Sequence, residues 1–128
     1  VIAKGFFDAF KLLGDRELLE AGLRVCDWLV GVVQRGDGSF RAAYDYRRGM
    51  FVDFEDKWYG GGGCFHGKLA MPLSLTWRLS SNDRCTQSVK KFLAWSLGLR
   101  LPSGAFKAKE GVDYVFHHAH CYALEGLL

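Results

Sequence analysis

Asp15-Arg-Glu-Leu-Leu-Glu-Ala-Gly-Leu-Arg-Val-Cys-Asp-Trp28 runs into Leu29-Val30-Gly31 and then into Gly36-Asp37-Gly38-Ser39-Phe40. About 67 residues later Asp83 leads to Trp95, Gly98 and Pro102-Ser103-Gly104-Ala105-Phe106. Each copy reads as a helix with a tryptophan in its second half, a polar turn and a small-residue–Phe step. A repeat of this period is the mark of a helical-hairpin array, in which each unit buries its apolar face against its neighbours.

Around this repeat, Ile2, Phe6, Phe10 and Leu13 recur at helical spacing, with Gly14 as a stop. Asp15 then serves as N-cap of a second helix, whose stripe is Leu18, Leu19, Leu23, Cys26, Leu29, Val30 and Val33, ending near Gln34. So short a link requires the two helices to pack antiparallel. A third helix is expected from about Cys64 to Leu79, kinked at Pro72 or beginning later than drawn. Ser81-Asn82-Asp83 caps a fourth helix, and a fifth begins near His118. Residues 36–63 and 100–116 are long connections, and the first is too long for a plain connector. The fold class is therefore all-α, built of antiparallel helical hairpins. In such an array both long loops and the starts of helices three and five share one rim, where helix N-termini favour anionic or oxygen-rich ligands.

The bulk composition, 49% apolar and 24% charged, is that of a globular chain. Its net charge of +3 is spread without a basic stripe, which argues against nucleic acid and anionic membranes as partners. No apolar run approaches the roughly 18 residues of a membrane span. Cys26, Cys64, Cys85 and Cys121 lack CxxC spacing, and three fall in helical apolar patterns. Reduced, buried thiols and a cytoplasmic location are expected. Val1 and Leu128 both sit inside apolar helical patterns, so residues 1–128 read as about two and a half hairpins of a longer protein.

The four histidines, His66, His117, His118 and His120, fall at the starts of helices three and five. His118, Tyr122 and Glu125 share one helical face. An imidazole, a phenol and a carboxylate on one face make an acid–base set. In the first long loop, Asp53-Phe-Glu55-Asp56-Lys57-Trp58-Tyr59 places carboxylates beside aromatic rings, a composition suited to sugars, whose faces stack on rings and whose hydroxyls bind carboxylates. A packed, solvated loop tip would have the same composition. Asp37 is a turn residue. Trp28 and Trp95 are expected to pack between helices. A weaker zinc alternative would draw on Cys64, His66, His120 and Cys121, whose spacing matches no specific zinc motif.

Trp28, Gln34, Asp37-Gly-Ser-Phe40 and His118-Ala-His-Cys-Tyr-Ala-Leu-Glu-Gly-Leu-Leu128 together resemble the (α/α) toroids of the six-hairpin glycosidase superfamily. The Gln-x-x-Asp-Gly step is also similar to the repeat of terpenoid cyclase and prenyltransferase-like toroids, although no Asp-rich cyclase motif is present. A third likeness, to lanthionine-cyclase-like toroids, rests on Gly63-Cys64-Phe-His66-Gly67. In the second copy Gln34 is matched by Leu101, and Asp37 has no counterpart. The first resemblance implies part of an (α/α) toroid with long loops on one rim, completed by the remainder of its own domain. It implies a glycan-processing hydrolase, lyase or epimerase without a cofactor. His118, Tyr122, Glu125 and His66 would then be catalytic, and Asp53, Asp56, Trp58, Tyr59 and His120 would bind the sugar substrate. The non-catalytic counterpart is a helical-repeat scaffold or sugar-binding module.

Overall fold

Helix α1 (Ile2–Leu13) stops where Gly14 enters the left-handed region at φ +70 and donates its amide to the Phe10 carbonyl. Asp15 follows at once and accepts the Glu17 amide at 2.9 Å, opening α2 (Arg16–Trp28). Gly22 of α2 lies under the fully buried Phe7 ring, where any Cβ would collide, so α1 and α2 pack closely.

The computed structural model, which describes residues 2–54 and 56–128, repeats this joint between α3 (Ala70–Ser80) and α4 (Asp83–Leu97). Ser81 takes φ 53 in the place of Gly14, and its amide reaches the Trp77 carbonyl. Asn82 then accepts the Arg84 amide. Of Ser81-Asn82-Asp83, expected to cap this helix, Asn82 is the residue whose side chain does so. Asp15 to Asn82 and Trp28 to Trp95 are each 67 positions apart, whereas Phe40 to Phe106 is 66.

The missing residue can be located. After Trp28 the first copy widens into a π turn, Leu29–Val33, closed by the Gln34 amide on the Leu29 carbonyl. The second copy instead tightens, with Gly98, Leu99 and Arg100 each bonding three residues back. A π turn absorbs one inserted residue without ending the helix.

Beyond it the copies coincide again. Arg35 donates to Ser39 and Gly38 to Arg35, as Leu101 does to Ala105 and Gly104 to Leu101. The bridges Gln34–Phe40 and Arg100–Phe106 complete the match, so Gln34 corresponds to Arg100 rather than to Leu101. Asp37 does have a counterpart, Ser103, whose hydroxyl accepts the Ala105 amide as the Asp37 carboxylate accepts that of Ser39. Burial works against the Asp37 anion, but the Ser39 hydroxyl and amide and the Arg35 charge hold its carboxyl below its ordinary pKa. Each hairpin thereby delivers one phenylalanine to a core. Phe40 joins Phe7, Cys26, Leu73 and Phe92, and Phe106 joins Cys64, Ala108, Ala119 and Ala123. Burying such a ring contributes about 2 kcal/mol.

Helix three begins later than its apolar pattern suggests. Cys64–Leu69 forms a 3-10 segment and α3 starts at Ala70, so Pro72 falls in the first turn, where its missing N–H costs nothing. Helix α5 spans His117–Leu127. α1 packs on α2 and α3, and α3 on α4 and α5, giving two complete antiparallel hairpins and a fifth helix.

The chain is mostly helical, but not strictly all-α. Ala43–Asp45 (β1) and Met50–Val52 (β2) pair antiparallel, with Tyr44 opposite Phe51. The Asp45 carboxylate gathers the Arg47 and Arg48 amides, and Gly49 at φ +67 closes the turn. Helical periodicity carries no signal for strands of three residues.

Trp95 packs against Phe92 and borders both cores, as expected, and its indole N–H donates to Glu110. Trp28 departs from expectation: it is 42% exposed and meets Tyr44 edge-on, at 6.0 Å. Cys26, Cys64 and Cys85 are buried thiols, and burial above all pushes Cys26 up to about 12 and Cys64 to about 11. Among the described residues no helix is long and apolar enough to cross a membrane.

Candidate functional site

The two long loops are fastened to each other beside the starts of the 3-10 segment and α5. Cys64 donates its amide to the Ala108 carbonyl, Gly63 bridges to Lys109, and Lys109 Nζ reaches the Lys57 carbonyl at 3.1 Å. Within the first loop Phe54, Lys57 and Gly60 bond one another in a tight turn, and Gly60 sits against the Phe54 carbonyl where a Cβ has no room. This turn presents Trp58. Its indole stacks on Phe116 at 4.9 Å and 12°, and takes Tyr59 and Phe65 edge-on. Phe116 is the residue from which α5 starts. The aromatic loop is therefore seated on the first turn of the helix that carries His118.

On α5, His118 and Tyr122 meet ring to ring at 5.3 Å, as their spacing predicts. A residue that sequence reasoning missed completes the face. Lys68, from the 3-10 segment, places its ammonium 3.8 Å above the Tyr122 ring and 2.8 Å from Glu125. Nothing local to Lys68 announces this role, because the contact depends on how closely the 3-10 segment approaches α5. Gly67 and Gly126 allow that approach, since an added Cβ on either would strike the backbone of the other element.

His66 is not part of this face. It is 9% exposed and lies between Phe65 and Phe40, with ring centroids 4.1 and 5.9 Å away. Burial drives its pKa down to about 4, with a Gly63 backbone contact opposing and the Arg35 charge reinforcing the shift. Among the described residues its Nδ1 has no hydrogen-bond partner. His120 faces inward too, its Nδ1 accepting the Phe106 amide at 3.3 Å. His117 Nε2 lies 3.8 Å from Cys121 Sγ. Among the described residues no three His, Cys, Asp or Glu side chains are grouped as a metal ion would need.

The carboxylates of the aromatic loop have partners away from α5. Both Asp53 oxygens lie 3.4 Å from Arg35 Nη2, and Asp56 pairs with the adjacent Lys57 at 3.1 Å. Glu55, the third carboxylate of that loop, lies outside the described residues. Tyr59, Tyr114 and Phe116 remain 47%, 48% and 39% exposed. Chemically, the rim offers aromatic faces to an apolar or sugar-like ligand. Beside them stand an exposed imidazole and a phenol ordered by a lysine–carboxylate pair. Comparison with protein-family models, with curated proteins and with solved structures finds no match to this chain.

Proposed function

We propose that the chain is a segment of a glycan-processing enzyme, a hydrolase, lyase or epimerase built on an (α/α) toroid, with its sugar held on the loop rim. The observation that carries this reading is the stack of Trp58 on Phe116, which seats the aromatic loop on the residue that opens α5, two positions before His118. Tyr59 and Trp58 would take the sugar's apolar face, and Asp53 and Asp56 its hydroxyls. His118 would move the proton, with Tyr122 as its partner. Glu125, held by Lys68, would fix the position of that face rather than carry a proton itself. His66 and His120, turned inward, would act through packing.

A second reading is a sugar-binding module without catalysis. The Lys68–Glu125 pair favours it, because the carboxylate is already satisfied and the Tyr122 ring is already covered by a cation.

One set of variants separates the two. With an oligosaccharide turned over by the full-length protein, His118→Ala lowers kcat by about 100-fold or more while the melting temperature stays unchanged. Trp58→Ala weakens saccharide binding by about 10-fold, the scale of one lost aromatic contact. Normal kcat in His118→Ala, with binding still lost in Trp58→Ala, would move the protein to the second reading.

A further inference from the structure

We infer that the cleft between the π turn and the N-terminal half of α4 binds a tetrahedral oxyanion, the phosphate or sulfate group of a small ester. The cleft encloses about 470 Å³, within the range of small-ligand sites. Its walls include Gln34, Arg35, Arg84, Gln87, Ser88 and Lys91.

Charge is the first argument. Three cations line the cleft against one carboxylate, Asp83. Among the described residues neither Arg84 nor Lys91 has an ion-pair partner, and Arg35 shares its charge with Asp53 only at 3.4 Å. Arg84 reaches across to the π turn, where its Nη2 would lie 3.8 Å from a Cβ placed on Gly31.

A second feature of the cleft is independent of charge. Ser88 is 2% exposed and its hydroxyl has no hydrogen-bond partner among the described residues, yet the residue lines this cleft. An unpaired buried hydroxyl is costly, and because this oxygen is closed to solvent, a rotation of the Ser88 side chain toward the cleft would be needed for a ligand oxygen to satisfy it. The site is also fixed in shape. Gln34 Nε2 bonds the Ser88 carbonyl and the Gly38 carbonyl at 3.0 Å, and Gly38 rests on the Lys91 carbonyl with no room for a Cβ. Two guanidinium groups, an ammonium and the Gln87 amide, arriving from two walls, suit an ion with acceptor oxygens in several directions. The π turn of the first copy forms part of the wall, since its Val30 lines the cleft.

The test is a titration of the full chain with inorganic phosphate, methyl phosphate and methyl sulfate at constant ionic strength, followed by amide chemical shifts. Saturable binding is expected, with shifts at Arg84, Gln87 and Ser88 and none from equal chloride. Arg84→Gln and Ser88→Ala each weaken it by about 10-fold, and Arg84→Lys recovers part of the loss. A preference for methyl phosphate or for methyl sulfate identifies the ester class, and either supports the site. Arg84 is exposed, so Arg84→Gln tests the site without threatening the fold. Binding that never saturates, or saturable binding that Arg84→Gln leaves untouched, would overturn the proposal.

Discussion

Gly126→Ala lowers the stability of the protein by about 3 kcal/mol, although the same change on an open helix raises it by about 1 kcal/mol. The sign reverses because of space. A Cβ on Gly126 runs into the carbonyl of Gly67, and one on Gly67 would lie 2.8 Å from the Ala123 Cα and 3.0 Å from the Tyr122 carbonyl oxygen. All of these are backbone atoms, which cannot swing aside as a flexible side chain would. Relief requires α5 and the 3-10 segment to part. That movement uncovers Ala119 and Ala123 and draws Lys68 away from Tyr122 and Glu125. Gly5 of α1 is the control: it is exposed with nothing within 4 Å of its Cβ, so Gly5→Ala is stabilising. Urea unfolding of the two variants reads both signs. A Gly126→Ala protein as stable as the parent would mean that the two backbones do not touch.

Acid removes about 3 kcal/mol of stability between pH 6.5 and pH 4 through His66 alone. Its folded pKa is depressed to about 4, from an ordinary value of 6.5. Between those values the unfolded chain takes up a proton on this imidazole and the folded chain does not. His66 therefore costs nothing above pH 6.5, and stability falls as pH descends through the window. His66→Leu abolishes this part of the slope. Because Nδ1 has no partner among the described residues, the substitution also leaves stability at pH 7 unchanged or slightly higher. The measurement is the difference in unfolding free energy between parent and variant, taken at several pH values so that the carboxylates cancel. Parallel curves across the window would show that His66 is exposed or paired when folded.

These two residues mark what the sequence could and could not convey. The hairpin array was legible because Asp15, Trp28, Gly38 and Phe40 each act locally, as cap, helix marker, left-handed turn and core plug, and each has an equivalent in the second copy. The register was misread by a residue or more. Spacing alone cannot distinguish a π turn from a slipped alignment, so Leu101 stood in for Arg100. The His118–Tyr122 face followed from helical spacing within one element. Lys68 did not, because it arrives from another element through contacts at Gly67 and Gly126, and a glycine in a helical pattern does not declare what it faces. His66 has the composition of a site residue but the surroundings of a core residue, which only packing against Phe40 and Phe65 reveals. The cleft at Ser88 was invisible for the same reason: its walls lie 54 positions apart at Gln34 and Ser88.

The proposed sugar site is the surface formed by the two long loops and the start of α5. Its most direct test is a chemical-shift map of the full chain titrated with neutral and uronic-acid oligosaccharides. The prediction is a saturable response centred on the Trp58 indole, Tyr59, Phe116 and the His118 imidazole. A response centred elsewhere, or none from any saccharide, would contradict it.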